Sequence, residues 1–234
     1  MKAKERIFVA LDLADINQAL ELSSKLLNLV GGVKLGKQFF TANGLKGVQR
    51  ITETGIPIFL DLKFHDIPNT VASALKAALT TNPYLINVHA SGGRNMLETA
   101  SRTVKEHQGP HCFLIGVTML TSLEDADLTE IGIKGKIEDQ VVRLSKLALS
   151  TGLDGVVCSA KEIKVLRKNF GENFKLIVPG IRPKWAIKND QKRIVTPSQA
   201  IRYGADYIII GRPITSAKNP LEAVFRILEE IDGV

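Results

Sequence analysis

Short apolar runs alternate along the chain with longer stretches in which apolar residues recur every three or four positions. The short runs predict eight strands, at residues 7–11, 32–35, 58–62, 85–89, 113–118, 155–158, 175–178 and 207–210. The longer stretches predict helices at residues 17–29, 45–54, 70–80, 95–107, 137–151, 161–169, 198–203 and 221–231. This alternation is typical of parallel strands joined by helical crossovers that cover the sheet.

Eight strand–helix units in 234 residues fit a closed (β/α)8 TIM barrel, an α/β fold that typically takes about 250 residues. An open, doubly wound sheet is the alternative, and it more often carries a glycine-rich dinucleotide turn after its first strand. Here that turn runs from Leu11 to Asp15 without a glycine, which favours the barrel. No linker or low-complexity tract divides the chain, so we expect residues 1–234 to form one barrel domain.

Charged residues fall at the carboxyl ends of the first three predicted strands. Side chains alternate across a strand, so every second residue of each strand faces the barrel interior. The inward positions include Asp12, Lys34, Asp61 and Lys63, and Asp66 follows in a loop. Because the carboxyl ends of barrel strands surround the active site, we expect these side chains to meet at one mouth.

The same alternation assigns polar or small residues to the inner face of the next two strands. The expected inward residues are Asn87 and His89 in the fourth strand and Gly116 and Thr118 in the fifth. Their apolar neighbours, such as Ile115, are then expected to pack beneath the helices.

These inward charges have two interpretations. A single Asp–Lys pair is compatible with a purely structural ion pair. Several alternating charges at one level of the mouth are harder to explain in that way, because buried ion pairs rarely repay the cost of removing them from water. The cluster therefore favours a functional site.

Glycine and arginine follow the last two predicted strands. Residues 178–183 read VPGIRP and residues 210–214 read IGRPI. Loops at these two places commonly bind phosphate in barrels, through backbone amides at a short helix N-terminus. Gly211 permits a close backbone approach, and the Arg212 guanidinium is able to pair with two phosphate oxygens. Gly-Arg-Pro turns are common in loops, so it is the position of this one that favours a phosphate site.

Composition and charge narrow the class of partner. The chain is 44% hydrophobic and 24% charged, as in ordinary globular proteins. Its net charge of +7 invites a nucleic-acid interpretation, but the charges are interspersed, and only three Tyr and one Trp are available for stacking. We expect no nucleic-acid binding, since a small anionic substrate uses a positive field equally well.

Cellular location is predicted from what the chain contains. It has no apolar run of membrane-spanning length and no secretory signal pattern at its start, so we expect no membrane association. Two cysteines rule out a disulfide framework and favour the reducing cytoplasm.

The remaining reactive residue types give weaker signals. The four histidines lack metal-ligand spacing, so we expect no metal site, and His89 is expected to serve as a supporting hydrogen-bonding residue. Cys158 lacks an evident base partner and is expected in the core. Asp154 and Asp206 precede strands, at the rim where polar residues usually support loops and stability.

Residues 61–70, DLKFHDIPNT, resemble the D-x-K-x-x-D-I-P-N-T signature of the orotidine 5′-phosphate decarboxylase family, in its shorter bacterial form. The resemblance extends over essentially the whole chain. It includes ALD at 10–12, VKLG at 33–36, VHASGG at 88–93, VTMLTS at 117–122, PGIRP at 179–183, DQ at 190–191 and GRPIT at 211–215. D-x-K-x-x-D alone is shared with related sugar-phosphate decarboxylases and synthases, whereas the I-P-N-T extension, PGIRP and GRPIT are more specific.

The resemblance implies the last step of de novo pyrimidine nucleotide synthesis, conversion of orotidine 5′-monophosphate to uridine 5′-monophosphate and carbon dioxide without a cofactor. Lys63 is the implied proton donor, in a charged tetrad with Lys34, Asp61 and Asp66. The family also implies a homodimer with shared sites, into which Asp66, Ile67 and Thr70 of one subunit reach from the neighbour.

The family further implies how the substrate is held. Asp12 would bind ribose hydroxyls and Thr121 would lie beside the pyrimidine. The implied phosphate-binding residues are Arg182, Gln191, Gly211 and Arg212, with Gln191 also reaching toward the base. Residues 184–189, KWAIKN, depart from the small residues expected in the loop that closes over the phosphate.

Three other functions remain as alternatives. A sugar-phosphate decarboxylase or synthase shares D-x-K-x-x-D and needs magnesium, but Ile67, Thr70 and Thr121 favour orotidylate. A barrel that binds a nucleotide without catalysis would not need the whole tetrad. A nucleic-acid binder would reveal itself by salt-sensitive binding.

Overall fold

The structure of the protein, a computed structural model, describes residues 1–186 and 195–233. Eight parallel strands pair in chain order and close into a barrel, because β1 also pairs with β8. The strands are β1 (Ile7–Ala10), β2 (Gly32–Gly36), β3 (Ile58–Phe64), β4 (Leu85–His89), β5 (Phe113–Val117), β6 (Gly155–Val157), β7 (Lys175–Val178) and β8 (Tyr207–Ile210). The predicted (β/α)8 barrel is confirmed.

Helices follow every strand and cover the outside of the barrel. They are α1 (Ile16–Leu26), α2 (Lys37–Thr52), α3 (Pro68–Leu79), α4 (Arg94–Lys105), α5 (Asp125–Glu130), α6 (Ile137–Ser150), α7 (Ile163–Phe170), α8 (Pro197–Tyr203), α9 (Arg212–Thr215) and α10 (Pro220–Asp232). Side-chain caps fix several starts: Asp15 accepts from two backbone N–H groups of α1, and Thr196 with Gln199 forms a capping box on α8. Such caps satisfy backbone donors that a helix end leaves without partners.

Three helices differ most from the sequence prediction, and one of them, the four-residue α9, has no predicted counterpart. α2 begins at Lys37 rather than at residue 45, and its interior is interrupted at Gly44, where φ is 61°. The predicted helix therefore contains only the part after this kink. The short α5 was not predicted, because six residues are too few to show a clear helical period.

Two apolar layers form the core. The first lies between the strands and the helices, and it includes the outward residues of β1 to β4 as the alternation predicts. The second fills the barrel interior, and its buried members are Phe8, Ala10, Phe59, Leu85, Ile115, Ile177, Tyr207 and Ile209. A filled interior leaves room for a ligand only at the ends of the barrel.

The predicted faces of β5 are wrong. Ile115 lies in the interior cluster, and Val117 lines a cavity at the mouth. Gly116 instead faces the helices, where a Cβ atom would lie 3.1 Å from Leu153 and 3.3 Å from Ala148. Thr118, at the end of the strand, is fully buried and donates its hydroxyl to the carbonyl of Val157 at 2.9 Å. Close helix packing therefore explains the glycine, and the apolar residues fill the interior.

Across residues 1–186 and 195–233, the helices are too short or too polar for any of them to cross a lipid bilayer.

Candidate active site at the carboxyl ends of the strands

Asp61 is the centre of an ion network at the mouth of the barrel. Its Oδ1 atom lies 2.6 Å from Nζ of Lys63, and its Oδ2 atom lies 3.5 Å from Nζ of Lys34. Lys34 also lies 3.2 Å from Oδ1 of Asp12, so the charges alternate along the row. The structure thus brings together four of the charged residues that the sequence singles out.

Most of this network is removed from water. The side chains of Asp61 and Lys34 are each 12% exposed and that of Lys63 is 25% exposed, whereas Asp12 is 54% exposed at the outer edge. A carboxylate removed from water needs compensating charge and hydrogen bonds, and Asp61 has an ammonium on each oxygen. The arrangement presents a fixed ammonium, that of Lys63, to whatever occupies the mouth.

The backbone at Lys63 adopts an unusual conformation. Its φ angle is 55°, in the left-handed region that non-glycine residues rarely adopt. The pairing of β3 with β4 shifts register between Leu60 and Phe64, and Lys63 lies inside this irregular segment. Left-handed backbone costs about 1–3 kcal/mol, and it is typical of functional sites where surrounding structure holds it in place.

Gly36 provides space for the ion network. A Cβ atom at this position would lie 2.8 Å from Nζ of Lys34 and 3.3 Å from Oδ1 of Asp12. Any larger residue would therefore push the lysine away from its partners. Gly36 belongs to the VKLG segment that resembles the decarboxylase family, but the alternation of side chains along β2 does not predict this role.

A cavity of about 190 Å³ opens directly over Lys63. Its charged walls come from Lys34, Asp61 and Lys63, and its other walls are mostly apolar. Thr121 lies on this cavity, as the resemblance implies for a residue beside the pyrimidine. The remaining wall residues are Phe59, Val117, Met119, Leu120, Val157, Pro179 and Ile209.

A second cavity, of about 250 Å³, adjoins the first and shares Lys34, Pro179 and Ile209 with it. Asp12 and the two arginines of the loops after β7 and β8, Arg182 and Arg212, line it. The other wall residues are Ala10, Gly180, Ile181, Gly211 and Pro213. The two cavities form one groove, with Lys63 at one end and arginines at the other.

The loop after β3 lies apart from this groove. Asp66, Ile67 and Thr70 are exposed, and within the described part of the chain none of them lines either cavity. Oδ1 of Asp66 accepts a hydrogen bond from the N–H of Ile67 at 2.6 Å. Within a single chain, the structure therefore does not bring these three residues to Lys63.

Gln191 lies outside the described residues. The chain that leads toward it is tied to α10, because the N–H of Lys184 donates to Glu230 at 3.3 Å and Arg226 lies 4.6 Å from the Trp185 ring centre. On the other side, the N–H of Arg182 donates to the carbonyl of Val195 at 3.3 Å. Trp185 thus packs against a helix in this structure.

A stacked histidine pair lies beside the mouth. The rings of His65 and His89 are 5.3 Å apart with 25° between their planes, and Nδ1 of His89 shares a 2.8 Å hydrogen bond with Ser91. Burial lowers the pKa of His89, and the charges of His65, Lys63 and Lys37 lower it further. His89 is therefore mainly neutral at physiological pH, as a supporting hydrogen-bonding residue would be.

At the opposite rim, Asp154 and Asp206 support the barrel, as predicted. Each accepts a hydrogen bond from a strand N–H at 2.8 Å, Asp154 from Leu114 and Asp206 from Leu176. Cys158 is buried in the core, and this burial raises the pKa of its thiol. Among the described residues, no group of three or more His, Cys, Asp or Glu side chains is placed to hold a metal ion.

A closed barrel with a buried lysine–carboxylate network at its mouth defines a (β/α)8-barrel enzyme. Residues 5–227 match the model of the Orotidine 5'-phosphate decarboxylase / HUMPS family. The chain belongs to this family, and its relatives make it a carboxy-lyase.

Similar proteins cover nearly the whole chain. An orotidine 5'-phosphate decarboxylase of Hahella chejuensis is 50% identical over 229 residues, which cover 98% of each chain. One of Rhodospirillum rubrum is 48% identical over 233 residues, covering 97% of this chain and 94% of the relative. The crystal structure of orotidine 5'-phosphate decarboxylase from Lactobacillus acidophilus superposes with a TM-score of 0.85 at 36% identity, over 97% of this chain and 98% of that one.

Proposed function

We propose that this protein decarboxylates orotidine 5′-monophosphate to uridine 5′-monophosphate, in pyrimidine nucleotide synthesis. The observation that carries the proposal is the position of the Lys63 ammonium, 2.6 Å from Asp61, at one end of a groove whose other end holds Arg182 and Arg212. A nucleotide with a reacting base and a remote phosphate matches this distribution of charge. The names of the close relatives support the same substrate.

In the proposed reaction the bond between C6 of the pyrimidine and its carboxylate breaks, and the electron pair stays on C6. The ring delocalises this charge poorly, so a neighbouring ammonium is needed to stabilise it. Lys63 then delivers a proton from Nζ to C6, and water restores the proton to the resulting amine. We expect no cofactor, since fixed charges stabilise the carbanion.

Repulsion of the substrate carboxylate by Asp61 is too weak to drive this reaction. Two like charges about 4 Å apart repel by about 4 kcal/mol at an effective dielectric constant near 20. Enzymes commonly lower barriers by about 8–23 kcal/mol. Most of the rate enhancement must therefore come from stabilisation of the carbanion by Lys63 and its partners.

The remaining substrate contacts are proposed by position. Asp12, which lines the second cavity, would bind ribose hydroxyls, and Thr121, which lines the first, would contact the pyrimidine. Arg182, Gly211 and Arg212 would hold the phosphate, together with Gln191. Binding energy gained at the phosphate would then be available to orient the reacting carbon over Lys63.

We further propose a homodimer in which Asp66, Ile67 and Thr70 complete the neighbour's site. Ile67 supports this proposal, because this large apolar residue is 67% exposed in a single chain. Asp66 would add a second carboxylate beside Lys63 of the partner. In this proposal residues 1–234 act as one catalytic domain in the cytoplasm.

The test is to mix the purified protein with orotidine 5′-monophosphate in excess EDTA and to follow the orotate absorbance band. Rapid loss of the band is expected, with release of carbon dioxide. No loss in EDTA, followed by turnover of a sugar phosphate when magnesium is added, would instead establish the related sugar-phosphate chemistry. Binding of uridine 5′-monophosphate without any turnover would identify a non-catalytic nucleotide-binding barrel.

A further inference from the structure

Asn87 lies in the middle of β4 with its side chain inside the barrel, and it is fully buried. Its carboxamide makes two short hydrogen bonds, and both partners belong to residues of the ion network. Oδ1 accepts from the backbone N–H of Lys63 at 2.7 Å, and Nδ2 donates to Oδ1 of Asp61 at 2.7 Å. One side chain therefore connects the backbone of Lys63 to the carboxylate that holds the ammonium of Lys63.

The bond to Lys63 compensates for an irregular strand pairing. The register of β3 against β4 shifts between Leu60 and Phe64, so regular ladder pairing is interrupted at Lys63. The left-handed φ of 55° turns this peptide out of the usual strand geometry. A buried N–H without a partner is costly, and the Asn87 carbonyl oxygen satisfies it.

The hydrogen bond from Asn87 reaches the same carboxylate oxygen of Asp61 as the ammonium of Lys63 does. Oδ1 of Asp61 accepts from both Nζ of Lys63 and Nδ2 of Asn87. The carboxylate is thereby held in one rotamer, with its other oxygen toward Lys34. A neutral amide suits this place, because it donates to the carboxylate without adding a charge beside it.

We propose that Asn87 is a positioning residue for decarboxylation, which aims the Lys63 ammonium by fixing both the backbone of Lys63 and the carboxylate of Asp61. This role rests on the proposed function, and it assigns Asn87 no contact with substrate. Because the phosphate end of the groove is remote from it, Asn87 affects kcat rather than KM. A misplacement of about 1 Å is enough to reduce the rate about 100-fold.

The first test replaces Asn87 by Leu, which has nearly the same shape and makes neither hydrogen bond. We expect kcat for orotidine 5′-monophosphate to fall about 100-fold while KM stays near the wild-type value. The matched control is Tyr207→Phe, which removes a partly buried hydrogen bond between Tyr207 and Tyr84 at the other end of the barrel interior. It should leave kcat unchanged.

The second test, Asn87→Asp, separates positioning from a loss of fold. The introduced carboxyl faces Asp61 and Lys63 from β3, with Lys34 beyond them and His89 on its own strand, whereas β5 contributes the apolar Ile115 and Val117. When protonated, this carboxyl accepts from the Lys63 N–H and donates to Asp61, as the amide does. When ionised, it repels Asp61.

The ratio of kcat in Asn87→Asp to kcat in the wild type is therefore expected to be highest at acidic pH and to fall as the pH rises. A pH profile parallel to that of the wild type would overturn the role, even if Asn87→Leu fails to fold. A folded Asn87→Leu variant with wild-type kcat would also overturn it. An inactive wild type would instead overturn the proposed function, and this role with it.

Discussion

The hydroxyl oxygens of Tyr84 and Tyr207 lie 2.8 Å apart across the amino-terminal end of the barrel interior. Phe8 packs edge-on against the Tyr207 ring, with ring centres 5.3 Å apart. Burial and this hydrogen bond raise the pKa of Tyr207, so the hydroxyl keeps its proton at physiological pH. These three aromatic side chains fill the barrel interior at the amino-terminal ends of the strands. A ligand is therefore restricted to the groove at the carboxyl ends, beside Asp61 and Lys63.

Replacement of Lys63 by Ala should abolish decarboxylation. The proton donor and the charge that stabilises the carbanion are lost together, so we expect kcat to fall by at least about 10⁴-fold. Asp61 keeps Lys34 and Asn87 as partners, and the variant should therefore still fold. The orotate absorbance assay measures the rate, and circular dichroism checks the fold.

Lys25→Ala is the matched control, because Lys25 lies on the surface of α1 and forms an exposed ion pair with Glu21. It should retain wild-type activity. A folded Lys63→Ala variant with near-normal kcat would show that another group donates the proton.

Replacement of Arg212 by Ala should weaken phosphate binding. A hydrogen bond to a charged group contributes about 1.5–3 kcal/mol, so kcat/KM should fall about 10- to 100-fold, mainly through KM. Arg212→Lys keeps the positive charge but lacks the planar guanidinium, so its kcat/KM should lie between those of the wild type and Arg212→Ala. Steady-state kinetics measure the effect, with Arg143→Ala, at an exposed position of α6, as the control. An unchanged kcat/KM would exclude Arg212 from the phosphate site.

Mixing two inactive variants tests whether the sites are shared between subunits. A heterodimer of Lys63→Ala and Asp66→Asn contains one site with both changes and one site with neither. After random exchange of subunits in a two-fold dimer, about a quarter of the wild-type activity should return. Activity is measured before and after the subunits are unfolded together and refolded. If every site belonged to one chain, the mixture would stay inactive.

Both cysteines should resist thiol reagents in the folded protein. Cys112 and Cys158 are buried, and burial raises the pKa of Cys112 to about 12, so its thiolate is scarce near neutral pH. An aromatic disulfide reagent should react slowly with the native protein and rapidly with both thiols in denaturant. Fast labelling of the native protein at neutral pH would contradict the buried position of these residues.

The sequence predicts strand positions well, because each strand is a compact apolar run: every predicted strand begins where the structure begins it, and no predicted strand ends more than two residues from the observed end. It also predicts the inward faces of β1 to β4, because the polar residues in and just after these strands all fall at inward positions. The prediction fails in β5, because Gly116 has no side chain and its small size reflects close packing against α6 rather than space in the interior.

The charged site was predictable only in part. Alternation along single strands is enough to place Asp61 and Lys63 on one face, but it assumes a regular ladder. The register shift after Leu60 and the left-handed backbone of Lys63 are properties of the pairing between strands, so the link from Asn87 to both residues was not visible. The roles proposed for Asp66, Ile67 and Thr70 depend on a second subunit, which no pattern within one chain can position.

Closure of β1 against β8 has a consequence for synthesis on the ribosome. Asp12 follows the first strand and Arg212 follows the last, yet both line the same cavity. A nascent chain carries Lys34, Asp61 and Lys63 early, but the wall that contains Arg212 does not exist until nearly the whole chain has emerged. Binding of the proposed nucleotide therefore requires β8 to be in place, and it cannot assist the folding steps that come before β8.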